Sequence, residues 1–290
     1  MKKELMSGNE AIARGVYEAG VRFAAAYPGT PSTEIMEQFA RYDGVYAEWA
    51  PNEKVAVEVA IGAALGGAKA LAVMKHVGVN VAADPIFTVS YTGIEGALVI
   101  ISADDPSMHS SQNEQDNRNY AKFAKIPMLE PSDPQEAKEY VKLAFAISEQ
   151  FDTPVFLRTT TRVSHSKSVV TLSEPRVPED KTALAHHAAK YVMVPINARI
   201  RRVEVEKRQK ALQKFAETFP ENKMEINDPA VGIITAGMPY NYAKDVFPDY
   251  SYLKLGMVYP LPVKMIRHFA SRVKKIYVIE ELDPYLEEQI

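Results

Sequence analysis

The sequence predicts an α/β protein built on a doubly wound, mostly parallel sheet, with a second, smaller α/β unit near its C-terminus. Helix-period segments alternate with short strands through residues 1–163, and the strands are continuous apolar runs, as in residues 97–103. Helices cover both faces of a strand in such a sheet, so both sides of the strand must be apolar. These two observations together predict the fold class.

The first helix has a clear start signal. Ser7 and Glu10 form the capping-box pattern Ser-x-x-Glu, and apolar residues then recur on one helical face as far as Gly20. A second such pattern, Ser132 with Gln135, is expected to open a later helix. Strands are predicted at residues 23–27, 45–49, 70–75, 97–103 and 155–158, and helices from residue 32, over 53–67 and over 80–91.

The composition changes after residue 163. Residues 164–228 are rich in serine, proline and charge, which predicts a connector carrying one charged, solvated helix at 201–219 and no packed core. From residue 229 to 290 the alternation of apolar strands and helices resumes. We therefore expect a first domain over 1–163, a connector over 164–228 and a second domain over 229–290.

Composition excludes several classes of function. The 34 Lys and Arg against 37 Asp and Glu leave a net charge of -3, which gives no electrostatic basis for binding nucleic acid. With no cysteine, the chain has no thiol nucleophile and no cysteine-ligated iron–sulfur cluster. Its longest apolar run, 55–73, is broken by Glu58 and Lys69, so no membrane span is expected. The N-terminus lacks a signal-peptide pattern, and the expected location is cytoplasmic.

Polar and glycine-rich segments follow the strands where a ligand is expected. In a doubly wound sheet, ligands bind outside the carboxyl ends of the strands. Four segments fall there: residues 27–33, 52–53, 76–80 and 104–116. No G-x-G-x-x-G, P-loop or G-x-S-x-G motif is present, so nicotinamide, nucleoside triphosphate and hydrolase chemistry have no local support.

The titratable residues of these segments also have plain structural interpretations. Asn52 is a suitable N-cap, and the helix dipole favours an acid such as Glu53 in the first turn whatever its chemistry. His76 follows a strand, where a hydrogen-bonded structural histidine is common. His109 lies in a polar loop, where solvent exposure is an equally good account. No metal site is expected in this chain.

Several motifs, in the right order, resemble one enzyme family. Residues 24–35 (AAAYPGTPSTEI) resemble the Y-P-x-T-P-S turn of the 2-oxoacid:ferredoxin oxidoreductases, which use thiamine diphosphate. Residues 52–53 with Gly62, nine positions after Glu53, resemble the pyrimidine-domain signature of thiamine enzymes. Residues 109–118, 129–132 and 278–284 are similar to the α subunit of the indolepyruvate ferredoxin oxidoreductases. The resemblance covers most of the chain, in the order of that subunit's N-terminal portion.

The resemblance implies a fold and a set of site residues. It implies a pyrimidine-binding domain followed by a transketolase C-terminal-like domain. Glu53 is implied as the catalytic and cofactor-binding carboxyl group that hydrogen-bonds N1′ of the cofactor's aminopyrimidine. Further candidates are Thr30, His76 and His109 for the substrate, and Gly29, Gly78 and Asn80 for the cofactor.

The implied activity is the oxidative decarboxylation of an arylpyruvate to an aryl-acetyl-CoA, with ferredoxin as electron acceptor. The family's G-D-G magnesium motif and cysteine-rich region are absent from this sequence. We therefore expect magnesium and iron–sulfur clusters on a diphosphate-binding domain or subunit outside this chain, a homodimeric assembly, and no activity of the chain alone. Two alternatives remain open: a split-subunit, non-oxidative thiamine decarboxylase or transferase, and a non-catalytic assembly module.

Overall fold

The computed structural model describes residues 2–177 and 186–290. Its strands are β1 (Lys3–Ser7), β2 (Phe23–Ala26), β3 (Tyr46–Trp49), β4 (Lys69–Lys75), β5 (Ala97–Asp104), β6 (Met128–Leu129), β7 (Val155–Thr160), β8 (Lys167–Thr171), β9 (Lys223–Glu225), β10 (Asp228–Ala236), β11 (Tyr250–Leu255), β12 (Met257–Tyr259) and β13 (Lys275–Ile279). Its α-helices are α1 (Gly8–Glu18), α2 (Thr33–Phe39), α3 (Glu53–Leu65), α4 (His76–Val81), α5 (Ala83–Thr92), α6 (Arg118–Ala124), α7 (Pro134–Phe151), α8 (Thr161–His165), α9 (Ala188–Tyr191), α10 (Pro195–Ala216), α11 (Met238–Val246) and α12 (Val263–Ala270).

A seven-stranded sheet organises the molecule, in the order β12-β6-β7-β5-β4-β2-β3. Its strands are parallel except for β12, which pairs antiparallel with β6. The strand that follows β2 in the chain, β3, lies on one side of β2, and β4 lies on the other. The strand order therefore reverses between β2 and β4, and the predicted doubly wound, mostly parallel sheet is confirmed.

Helices bury both faces of this sheet. All eight residues of β5 are buried, and successive side chains join different cores. Val99 and Ile101 pack in a cluster with α1 and α7, whereas Leu98 and Ile100 pack in a cluster with α3 and α5. The continuous apolar pattern of a central strand such as β5 thus has the cause expected from the sequence, since neither face of this strand meets solvent.

A second sheet, in the order β13-β10-β11-β9, forms the smaller α/β unit. Its strands are parallel except β9, which pairs antiparallel with β11. Ile234 and Leu253 of this sheet belong to the same buried cluster as Leu98 of the main sheet. Directly after β11 the chain returns to the main sheet through β12, where Met257 pairs with Leu129. The two sheets therefore share a hydrophobic core.

The prediction of an unpacked connector over 164–228 is wrong. Strand β8 pairs antiparallel with β1, a strand that the sequence did not reveal. Helix α10 begins at Pro195, and its Leu212 and Ala216 are fully buried in the main core, with Phe219 just beyond it. Many charged side chains, together with the exposed Ile196, Ile200 and Val203, occupy the rest of this helix, and they hid the buried apolar stripe at helical spacing.

Two helix starts also need correction, while the Ser7–Glu10 capping box is confirmed. The N-cap of α7 is Asp133, whose side chain accepts from the backbone N–H of Glu136. The hydroxyl of Ser132 instead donates to the Glu136 carboxylate, so the proposed pairing of Ser132 with Gln135 is wrong. The single helix expected over 80–91 is two helices, α4 and α5, and α4 already begins at His76.

Candidate functional site

The carboxyl ends of β3, β2, β4 and β5 are neighbours at one edge of the main sheet. We call this edge the rim. It carries Glu53, the turn at residues 27–30, Lys75 with α4, and the loop at 104–116. The strand order reverses between β2 and β4, and such a reversal opens a crevice where doubly wound sheets bind ligands. The four polar segments singled out in the sequence are therefore brought together.

Glu53 is the first residue of α3 and lies in the predicted position. The Asn52 side chain accepts from the Val55 backbone N–H at 3.0 Å and caps the helix, so the structural interpretation of this pair is confirmed. The Glu53 side chain is half-buried. Within the described parts of the chain its carboxylate makes no hydrogen bond and no ion pair, which leaves both oxygens free for a ligand.

The Glu53 carboxyl group rests directly on the backbone of Gly78. A Cβ atom built on Gly78 would lie 2.6 Å from Cγ and 2.7 Å from Oε1 of Glu53. Relaxed contacts between carbon atoms are about 3.5–4.0 Å long, so a Cβ atom would overlap the Glu53 side chain. Only glycine at position 78 therefore permits this placement, and the two predicted site residues are direct neighbours.

His76 is fully buried at the start of α4. Its Nε2 lies 3.2 Å from the Asn113 carbonyl oxygen, and its Nδ1 has no partner among the residues described. The His76 carbonyl accepts from the side chains of Asn117 and Gln115. In this conformation the ring anchors the 104–116 loop and is shielded from any ligand in the crevice.

The remaining candidates lie at the surface of the rim. Thr30 and His109 are exposed. Asn80 is exposed on α4, and its Oδ1 accepts from the Tyr120 hydroxyl at 2.6 Å. At Gly29 a Cβ would lie 3.1 Å from the Cβ of Lys75, so the turn passes close over the end of β4. The structure thus brings these residues to one edge, without showing which of them touches a ligand.

Comparisons with known proteins agree with the motif resemblance. Residues 14–228 match the family described as "Pyruvate flavodoxin/ferredoxin oxidoreductase, thiamine diP-bdg". The chain is 46% identical to the indolepyruvate oxidoreductase subunit IorA of Archaeoglobus fulgidus, over 99% of this chain and 48% of the relative. It is 44% identical to the protein of that name from Pyrococcus horikoshii, over 100% of this chain and 47% of the relative.

This chain belongs to the pyruvate flavodoxin/ferredoxin oxidoreductase family. It spans about half the length of the curated IorA relatives it matches. Its fold is similar to a solved 2-oxoglutarate:ferredoxin oxidoreductase from Magnetococcus marinus, with a TM-score of 0.79 and 16% identity over 99% of this chain and 60% of that one. At that identity the likeness concerns the fold alone.

Sequence reasoning missed a buried ionic cluster beside the rim. Arg158 of β7 is fully buried; its Nε donates to Asp104 at 2.7 Å and its Nη1 to Glu130 at 2.6 Å. Burial raises the pKa of Asp104, and the charge of Arg158 opposes that rise. Arg118 donates to Asp116 and, at 2.7 Å, to Glu280 after β13. The only sequence signal was a charged residue inside an otherwise apolar strand, as at Arg158.

This ionic cluster connects the second sheet to the rim. Arg118 also donates to the backbone carbonyls of Glu281 and Asp283, both beyond β13. Next to it, the fully buried Asn117 donates to the His76 carbonyl at 3.0 Å and to Ser102 of β5 at 2.7 Å. The 104–116 loop and the start of α4 are therefore held by buried hydrogen bonds at their inner ends.

Asp105 organises the outer part of the same loop. Its carboxylate accepts from the Ser110 backbone N–H at 2.8 Å, from the Ser111 hydroxyl at 2.5 Å and from the Thr161 hydroxyl at 2.7 Å. Burial opposes ionisation, but these hydrogen bonds outweigh it and lower the pKa of Asp105 to about 2. Asp105 is therefore ionised near neutral pH and keeps residues 105–111 folded.

The described residues contain neither a metal-binding cluster nor a membrane-spanning helix. Across residues 2–177 and 186–290, no group of three or more His, Asp or Glu side chains is arranged to hold a metal ion. Of the helices described, none is both long enough and apolar enough to cross a membrane.

Proposed function

We propose that this chain supplies the pyrimidine side of a thiamine diphosphate site in an oxidoreductase. The reaction is the oxidative decarboxylation of arylpyruvates, of the indolepyruvate type, to aryl-acetyl-CoA with ferredoxin as electron acceptor. Support comes from the match to a thiamine diphosphate-binding family and from the near full-chain similarity to IorA relatives. One observation carries the proposal: a partly exposed, unpaired Glu53 carboxyl group beside the crevice of the rim.

The residues at the rim fit the cofactor's aminopyrimidine. Glu53 offers carboxyl oxygens without a partner among the described residues, and the lack of a side chain at Gly78 lets this carboxyl group lie beside the crevice. Gly29 and Gly78 are proposed to border the cofactor through their backbone. Both carboxyl oxygens lack a donor from the described chain, which suits a hydrogen bond to a ring nitrogen. When bound, thiamine diphosphate supplies an electron-accepting ring that stabilises the carbanion left after carbon dioxide departs.

The chain's own contribution is to hold and move protons at this ring. Glu53 is the first residue of α3, so the start of this helix positions its carboxyl group at the rim. A carboxyl group in this position shares a proton with N1′ of the aminopyrimidine. Thr30, exposed in the turn, is proposed to donate to the oxygen of a 2-oxoacid, with His109 lining the same pocket from its loop. Asn80 is proposed to border the cofactor from α4.

The rest of the assembly lies outside this chain. We propose a diphosphate-binding domain or subunit that binds magnesium and carries iron–sulfur clusters, with coenzyme A and ferredoxin as its co-substrates. We further propose a homodimer, a cytoplasmic location, and a pyrimidine-binding unit over 1–163 followed by a transketolase C-terminal-like α/β unit over 229–290. Thiamine sites form between two domains, so the chain by itself is inactive in this proposal.

The test is Glu53→Gln in the assembled oxidoreductase, with Glu58→Gln as the matched control. Glu58 is exposed on the same helix, and among the described residues it forms a single ion pair, with Lys54 at 3.8 Å. Glutamine keeps the size of Glu53 but cannot share a proton with the ring. We expect turnover of indolepyruvate to fall by about 10²-fold or more, with an unchanged unfolding midpoint. Near-normal turnover would falsify the assignment of Glu53.

A second measurement tests the division of labour between chains. Calorimetry of the isolated chain with thiamine diphosphate and magnesium is expected to show no specific binding. Micromolar affinity would contradict the proposal that another domain holds the diphosphate. Product analysis separates the oxidative from the non-oxidative reaction: formation of an aldehyde without reduction of ferredoxin would exclude the oxidoreductase.

A further inference from the structure

Lys75 differs from every other buried cation of the described chain. The buried lysines and arginines, each at most 9% exposed, are Lys75, Arg118, Lys138, Arg158, Arg208 and Lys254. Five of them have a carboxylate within 4 Å. Lys75, at 9% exposure, makes no ion pair with the residues that the structure describes. A buried charge without a counter-ion is unfavourable, so such an exception calls for a ligand.

The position of Lys75 is the crevice between β2 and β4. It is the last residue of β4, and its Cβ and Cδ lie 3.1 and 3.6 Å from the point where a Gly29 Cβ would be. Its Nζ donates to the Ser110 carbonyl at 2.7 Å. The side chain therefore runs beneath the 27–30 turn to the 104–116 loop, and its ammonium lies between these two walls of the crevice.

The ammonium is also held in place for a partner that has yet to bind. One of its three N–H donors is used by Ser110, and that residue is fixed because its backbone N–H donates to Asp105 at 2.8 Å. The nearby carboxylate of Asp105 is already satisfied by three donors from the loop and from Thr161. Two donors of Lys75 thus remain for an incoming anion.

We infer that Lys75 binds the carboxylate of the 2-oxoacid substrate. This inference rests on the proposed function, which makes the substrate a 2-oxoacid. Thr30 follows β2 and Glu53 follows β3, on one side of the crevice, whereas Lys75 ends β4 on the other side, so a ligand reacting beside Glu53 and Thr30 can present its carboxylate to Lys75. A carboxylate of this kind supplies the missing counter-ion and accepts the two free N–H donors.

The phosphates of coenzyme A share the anionic chemistry that Lys75 recognises, and they are the competing source. The carboxylate of a 2-oxoacid is bonded to the reacting carbon, so it enters the crevice together with that carbon. The phosphates of coenzyme A are separated from its reacting thiol by a long flexible arm, so they can bind outside the crevice. We therefore assign the carboxylate to Lys75, and the experiment separates the two sources.

The experiment uses the assembled oxidoreductase with two probes, indole-3-propionate and indole-3-propionamide, which differ only in charge. Calorimetry measures both affinities, whether or not turnover occurs. We expect the wild type to bind the carboxylate about 10- to 100-fold more tightly than the amide. In Lys75→Met and Lys75→Gln the preference is expected to vanish, whereas Lys75→Arg and the exposed-surface control Lys210→Met keep it.

The results that overturn this inference differ from the result that would overturn the proposed function. A wild type that binds the amide as tightly as the carboxylate overturns the inference, as does a Lys75→Met enzyme that keeps the preference. In the Lys75→Met enzyme, a raised KM for coenzyme A with an unchanged KM for indolepyruvate overturns the inference and assigns Lys75 to a phosphate of coenzyme A. Failure of the proposed function is a different result: wild-type enzyme that forms no acyl-CoA from indolepyruvate.

Stability supplies a readout that a purely structural lysine would not give. Removing a buried charge that has no counter-ion relieves a desolvation cost, and the exposed Ser110 can take its hydrogen bond from water. We expect the unfolding midpoint of Lys75→Met to be no lower than that of the wild type. A drop of several degrees together with retained carboxylate preference would identify Lys75 as a structural residue.

Discussion

Replacing Gly78 by alanine is expected to damage activity while leaving the fold stable. The added Cβ would lie 2.6 Å from Cγ, 2.7 Å from Oε1 and 2.9 Å from Cδ of Glu53. Carbon contacts are relaxed at about 3.5–4.0 Å, so the carboxyl group must move by about 1 Å. In the proposed function Glu53 shares a proton with the cofactor, so we expect a displacement of that size to lower kcat of the assembled enzyme by about 10²-fold.

The same substitution has little effect on stability for two reasons. Glu53 is half-buried and can rotate towards water, and alanine is favoured over glycine within a helix by about 0.5–1 kcal/mol. Urea unfolding of the isolated chain is expected to change by less than about 1 kcal/mol. Gly62→Ala is the matched stability control, because it lies on α3 with nothing within 4 Å of the added Cβ.

A double-mutant comparison decides whether Gly78 acts through Glu53. If it does, Gly78→Ala combined with Glu53→Gln is no slower than Glu53→Gln alone, because both changes disable one carboxyl group. The reasoning is refuted by wild-type kcat in Gly78→Ala. It is equally refuted by a double variant in which the two losses simply multiply.

Two further predictions concern the stability of the rim. The folded-state pKa of Asp105 is lowered to about 2, so its hydrogen bonds contribute stability above the unfolded value near 3.8 and lose it as pH falls through about 2. Between pH 4 and pH 2 the wild type should therefore lose about 2 kcal/mol of unfolding free energy that Asp105→Asn does not lose, as measured by urea unfolding at each pH. The same pH dependence in both proteins would contradict this. Arg158→Met leaves Asp104 and Glu130 without their buried counter-ion and should lower the free energy of unfolding by about 3–5 kcal/mol in the same assay. A loss under about 1 kcal/mol would contradict a stabilising role for this buried ion pair.

Local sequence patterns predicted the elements whose cause is local. The Asn52 cap and Glu53 start α3 where the sequence placed them, because a side chain capping its own helix needs contacts only three residues away. The apolar runs likewise form strands at the expected positions along the chain, since burial on both faces imposes a continuous apolar run. The packing of helix α10 was not predicted because its charged residues outnumber the apolar residues, such as Leu212 and Ala216, that it buries in the core.

The sequence by itself determined the fold class, the positions of the main strands along the chain and the glutamate at the rim, because these follow from the period of apolar residues and from motifs of adjacent residues. Only the tertiary structure decided that Glu53 lies on Gly78, that Arg158 pairs with Glu130, and that Lys75 ends a strand without a counter-ion among the described residues. Such pairings join residues far apart in the chain, and the crossovers between parallel strands set them. No local pattern encodes the distance between two strand ends.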